Sequence, residues 1–153
     1  MKKIIALLLV VLLALSLGAC GGKSSNEGGD VSANVVYTVD EVKAKLVEAM
    51  GIDETAITLD VRDTGTVMSY GDWDVWFDTY ILNSPVDAPD MFDIQTWEDS
   101  VYDKRIDKKD HKIWIEEVED SENITMIAMK GNLVLSITSP VEPEVLIDAL
   151  GLN

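Results

Sequence analysis

Residues 113–138 read IWIEEVEDSENITMIAMKGNLVLSIT, and the fold turns on how this stretch is understood. Three apolar runs stand in it, Ile113 to Val118, Ile124 to Met129 and Leu133 to Thr138. Each has the length of a strand and carries β-branched residues that favour a pleated, half-buried surface. Charged and small polar residues separate the first two runs, and the Gly131-Asn132 pair separates the last two. A two-residue connection of this type joins antiparallel neighbours through a tight hairpin. The stretch therefore predicts an antiparallel meander.

Working outward, the period changes. Pro140 and Pro143 introduce a terminal helix whose last residues, Leu146 to Asn153, match Leu46 to Asp53 in type at every place. Both copies hold a glycine followed by an apolar residue, which is a common way to stop a helix with a left-handed glycine. A duplicated half-domain would leave the same trace. The earlier copy closes a helix that Thr38 caps, with Glu41 completing a capping box and Val39, Val42, Leu46, Val47 and Met50 at helical spacing. Next, Ile57 to Val61 alternates, Asp63-Thr64-Gly65 is a turn, and Thr66 to Tyr70 returns. Trp73 to Leu82 predicts a longer strand, closed by Asn83-Ser84-Pro85 and a loop at Pro89. Ile94, Trp97 and Val101 predict a short amphipathic helix starting at Asp90 or Asp93 and ending at Lys104 and Arg105. The expected class is α+β: a mostly antiparallel sheet of about six strands packed with two or three helices, in the order α-βββ-α-βββ-α.

The longer strand carries the candidate binding residues. Side chains alternate between faces, so Asp72, Asp74, Trp76, Asp78 and Tyr80 are expected on one face. Trp73, Val75, Phe77 and Ile81 are expected on the other, toward the core. Alternating acids and aromatic rings suit a hard cation, a cationic peptide or a sugar ring. Same-face neighbours lie about 6.6–7 Å apart, too far for two such carboxylates to close on one ion unaided. No calcium-loop pattern is present. Asp74, Trp76, Asp78 and Tyr80 are thus candidate ligand-binding residues, with no metal and no cofactor expected.

His111 is the only histidine and stands in the one basic stretch, Lys104 to Lys112, where it is expected as an exposed turn residue. A nucleophilic serine elbow is absent, and the chain has too few His and Cys for a zinc site. Acid–base hydrolysis would need two carboxyls about 5–9.5 Å apart, one of them in an apolar setting.

The first residues give an address. Lys2 and Lys3 precede an almost wholly apolar run from Ile4 to Leu17, and Leu17-Gly18-Ala19-Cys20 follows. That run is shorter than the roughly 20 residues a spanning helix needs. It has the three parts of a signal peptide. Leu17 to Cys20 resembles the lipobox of bacterial lipoproteins, a resemblance confined to the first 20 or so residues. It implies that the Cys20 thiol receives a diacylglyceryl group and that a dedicated peptidase then frees its amino group. Two acyl chains anchor stably where one is marginal. Cys20 is the sole cysteine, so a lipidated chain has none left for a disulfide.

The expected organisation is therefore residues 1–19 as signal peptide, 20–34 as lipidated cysteine and Gly/Ser-rich linker, and 35–153 as one α+β domain. A flexible linker of this length reaches about 20 Å. The full chain has 12 basic and 28 acidic residues, a net charge of −16, and loss of Lys2 and Lys3 takes it to −18. Such a charge repels phosphate backbones, so nucleic acid is not an expected partner. Anionic headgroups do not attract it either, which leaves the lipid as the expected membrane contact. The oligomeric state stays open. The preferred function is a non-catalytic binding module on the outer side of a cell membrane. The alternatives are a small carboxylate-dependent hydrolase of the envelope and a structural or sensory domain of a membrane complex.

Overall fold

Helix α1 (Val39–Met50) starts where its cap predicts, the Thr38 hydroxyl accepting from the Glu41 N–H at 3.3 Å. The carboxylate half of the expected capping box is otherwise engaged: Glu41 turns along the helix to Lys45, 2.8 Å away. A computed structural model describes residues 35–96, 102–118 and 121–153 of the chain. Cys20, the signal peptide and the linker lie outside the described residues, as do Trp97 and Val101 of the expected second helix.

After α1 and a short 3-10 turn (Glu54–Ala56) come β1 (Thr58–Arg62), β2 (Gly65–Gly71) and β3 (Trp76–Leu82). A second 3-10 turn (Pro85–Asp87) leads into α2 (Ala88–Gln95). Then follow β4 (Lys104–Asp107), β5 (His111–Glu117), β6 (Ile124–Lys130), β7 (Leu133–Ser139) and α3 (Pro143–Leu150). All seven strands form one antiparallel sheet in the order β1-β2-β3-β7-β6-β5-β4. Two meanders thus meet at its centre, where β3 pairs with β7.

The α+β class holds, with three corrections. The described strands number seven instead of about six, and the order α-βββ-α-βββ-α gains a fourth strand in its second meander and two 3-10 turns. The extra strand is β4, formed by the Lys104 and Arg105 expected at a helix end. Its charged residues give little alternation, and pairing with β5 is what makes it a strand. The middle helix lies earlier than expected because Pro89 sits in its first turn, where a missing N–H costs nothing.

Both faces of the sheet are covered. On one, α1 and α3 bury Val42, Leu46, Leu146 and Leu150 against Phe77 and Leu135. On the other, α2 sets Ala88 and Phe92 against Leu82, Ile127, Met129 and Val134. Consequently β7 is buried at every residue, which explains its nearly continuous apolar run. The two similar helix ends both use a left-handed glycine, Gly51 at φ 66° and Gly151 at φ 65°. They close differently. Gly51 makes one bond, to the Val47 carbonyl. Around Gly151 the Gly151 N–H is shared between the Asp148 and Ile147 carbonyls and the Leu152 N–H also donates to Ile147, which brings Leu152 into the core.

One core group is mismatched. Thr79 of β3 is fully buried, and among the described residues its hydroxyl has no hydrogen-bond partner. Thr79→Val keeps the shape and removes that desolvated group, so stability is expected to rise by about 1 kcal/mol. A denaturant midpoint measures it, and a fall would reveal a hydroxyl partner.

Candidate functional site

β3 pairs with β2 on one side and β7 on the other, and this fixes what surrounds its side chains. Phe77, Thr79 and Ile81 are buried under α1 and α3. Trp76, Asp78 and Tyr80 alternate with them on the α2 face, as the period of two predicts. The three have different surroundings. Tyr80 is half-buried against the α2 cluster, and its hydroxyl accepts from the Gln95 side chain at 3.2 Å. Burial, and secondarily the Asp78 carboxylate, push the Tyr80 phenol up from its ordinary pKa, while Gln95 and Arg62 oppose the shift. Asp78 is half-buried opposite Ser69, whose hydroxyl donates to it at 2.5 Å. Trp76 is 45% exposed at the end of the strand.

Asp74 does not join this face. The strand begins at Trp76, and residues 72–75 form the turn of the β2–β3 hairpin, closed by the Asp72 N–H donating to the Val75 carbonyl at 2.8 Å. Asp72 also accepts from the Trp73 N–H at 2.7 Å, so its carboxylate caps the turn. Asp74 is exposed there. Trp73, expected in the core, is 97% exposed at the tip. The turn breaks the alternation at Val75, and no inward direction remains for Trp73. Gly71, Asp72 and Trp73 line a shallow depression at this end, whose walls include neither Asp74 nor Asp78.

Register supplies neighbours that one strand could not predict. Trp76 lies opposite Thr138 of β7, which lies opposite Thr125 of β6, and the two threonine hydroxyls are 2.8 Å apart. Asp78 lies opposite Ser136. The aromatic end of this face is therefore backed by the hydroxyls of Thr138 and Ser136, both buried, with Thr125 half-buried beside them. Exposed indole faces can stack on a flat apolar surface, and a half-buried hydroxyl or carboxylate beside them can orient its polar edge. General acid catalysis would instead need a carboxyl enclosed by apolar walls. Asp74 stands in solvent, and Asp78 is occupied by Ser69.

His111 is placed differently from expectation. Residues 108–110 make the turn, so His111 opens β5 and shares the inward face with Ile113 and Ile115. It is buried, with Nδ1 3.0 Å from the Asp110 carboxylate. Asp110 is held below the usual carboxylate range, first by its own backbone hydrogen bond and then by His111 and Lys130. Ile106, His111, Ile113 and Ile147 help to line a groove of about 250 Å³ between the β4–β5 hairpin and α3. Among the described residues, no three His, Cys, Asp or Glu side chains are grouped so as to hold a metal ion. In comparisons with known proteins, no family model, no curated protein and no solved structure matches the chain.

Proposed function

We propose that this chain is a lipoprotein anchored through Cys20 on the outer face of a cell membrane, and that its domain is a non-catalytic binding module. Its contact surface is the Trp73–Trp76 end of the sheet. The observation that carries the binding reading is the exposure of two tryptophans, 97% and 45%, at one end of the domain, where the other large rings among the described residues are buried or half-buried. A stable monomer gains nothing from an indole held in water, whereas a partner that covers it gains the burial of a large apolar surface.

The anchor reading rests on the leader and the lipobox-like residues ending at Cys20. No helix among the described residues is long and apolar enough to cross a membrane. The domain's layout fits a tether. Val35, where the described chain begins, packs against Gly131 in the β6–β7 turn, at the Leu82 end of β3. Trp76 lies at the opposite end of β3, six residues away, a span of about 20 Å. A chain held from Val35 therefore carries Trp73 and Trp76 on the end remote from the attachment. The acidic surface favours a neutral envelope polymer or a protein with basic groups around its docking face.

Two substitutions test the two halves of this reading. Cys20→Ala should abolish metabolic lipid labelling and leave uncleaved precursor or released domain; normal labelling overturns the anchor. Trp76→Ala, alone and with Trp73→Ala, should lower in-cell crosslinking to the partner while shifting the thermal midpoint little. A stability loss of about 3–5 kcal/mol would instead mark the Trp76 ring as core, and the binding face would be lost with it.

A further inference from the structure

β1 is an edge strand, and all five of its residues are exposed. The direction of its main-chain groups follows from hydrogen bonds further into the sheet. The Leu82 N–H donates to the Asn132 carbonyl, so Leu82 turns its polar groups toward β7. Its neighbour Asn83 donates to Thr64 on the other side. Gly65, opposite Leu82, therefore faces β1 and pairs with Arg62. By alternation Thr58 and Asp60 also face β2, and the N–H and C=O of Leu59 and Val61 point off the edge.

The side chains alternate as well. Leu59 and Val61, 47% and 79% exposed, lie on the α1/α3 face, opposite Met68 and Thr66. Asp60 and Arg62 lie on the other face, 2.7 Å apart along the strand. Opposite charges at these two places make the edge self-complementary. If a second copy lies antiparallel with the two-fold axis at Val61, Val61 meets Val61 of the second copy. Each Asp60 then faces Arg62 of the second copy, and each Val61 exchanges N–H and C=O with its counterpart. Shifting the axis to Asp60 would set two carboxylates against each other, a destabilising pair. The other edge offers no such match. In β4 the adjacent Lys104 and Arg105 are both basic, and they are engaged by Glu144 and by the Trp114 ring.

We propose that two copies of this chain pair through β1, with the axis at Val61, into one continuous antiparallel sheet of fourteen strands. Five residues a side make a small contact, so the pairing depends on local concentration. Copies confined to one membrane supply it through their tethers, and in this respect the inference leans on the anchor.

Cysteine crosslinking of the full chain tests the geometry, with the unsubstituted chain, whose sole cysteine is Cys20, as control. In the hydrogen-bonded pair at the axis the two α-carbons lie about 5.5 Å apart, a spacing that suits a disulfide. Val61→Cys should form an oxidised dimer in native membranes at least tenfold above Leu59→Cys, which the axis places several residues from its own copy. Adding Asp60→Lys should weaken that dimer, and adding Arg62→Asp as well should restore it. Val61→Pro, tolerated by a free edge, should leave the circular dichroism spectrum unchanged and abolish crosslinking between a chain carrying Asp60→Cys and one carrying Arg62→Cys, the pair that the axis sets face to face. A Val61→Cys signal no greater than control, in membranes and in concentrated detergent solution alike, overturns the pairing. Stronger crosslinking through Asp60→Cys overturns the register. Dimer in concentrated detergent but not in membranes leaves the strand pairing standing and counts against the anchor, which lipid labelling reads separately.

Discussion

Asn132→Ala should destabilise the domain by about 3–4 kcal/mol, lowering the thermal midpoint by roughly 10 °C. Its side chain fastens three segments at one buried point. Oδ1 accepts from the Tyr37 N–H at 2.7 Å, and Nδ2 donates to the Tyr37 carbonyl at 3.1 Å and to the Leu82 carbonyl at 2.9 Å. The segment before α1 is thereby tied to the β6–β7 turn and to the end of β3. Tyr37 is also held from its far end, where its hydroxyl donates to the Leu150 carbonyl. Alanine leaves one N–H and two carbonyls without partners at a place where Tyr37 and Leu82 are both buried. Each such group costs about 1–3 kcal/mol unless water reaches it. Asn132→Asp separates shape from chemistry. The carboxylate keeps the acceptor and loses both donors, and it faces two carbonyl oxygens. Protonation is then favoured in the folded state, so this variant should lose stability as pH rises above about 3.9, the unfolded value. Denaturant curves at several pH values measure it; a flat profile would show that the site admits water.

The importance of Asn132 was only half legible from the chain. Gly131-Asn132 announces a hairpin because turn chemistry is local, and β6 and β7 pair about it as expected. Nothing local says that the asparagine side chain reaches Tyr37, 95 residues earlier. The same division runs through the fold. Helix α1 and the three strands from His111 to Ser139 declare themselves because period, cap and turn agree over short distances. β4 does not, since Lys104–Asp107 becomes a strand only by lying against β5. Pro89 misleads because a helix breaker and a first-turn residue are the same amino acid. At the candidate site, Trp76, Asp78 and Tyr80 share a face as alternation requires. Asp74 and Trp73 leave the pattern because the hairpin turn takes residues 72–75, and its limits depend on the register with β2. Ser69, which holds Asp78, comes from that register too. His111 is a matter of β5 starting two residues before Ile113, which exchanges solvent for core.

Gly65→Ala is expected to be the costlier of two outwardly similar substitutions, exceeding Gly51→Ala by at least about 2 kcal/mol. Both glycines have positive φ, 150° at Gly65 and 66° at Gly51. Around Gly51 an added Cβ would meet nothing within 4 Å, so the penalty there is that of a left-handed alanine, about 1 kcal/mol. At Gly65 the same atom would stand 2.3 Å from the Ile81 carbonyl oxygen and 2.7 Å from the Leu82 α-carbon. Neither is a side chain that can rotate away. Relief requires moving the β1–β2 hairpin off the end of β3, and β3 is fixed on its other side by β7 and by the Asn132 clamp. Opening there would weaken the Thr66–Ile81 pairing and the Asn83 bonds to Asp63 and Thr64. Faster amide exchange confined at first to β1 and the start of β2, together with a lower denaturant midpoint, is the expected signature. Equal destabilisation by the two alanines would mean that β2 slides along β3 at little cost, and the register that places Ser69 against Asp78 and Trp76 at the sheet's end would then be soft.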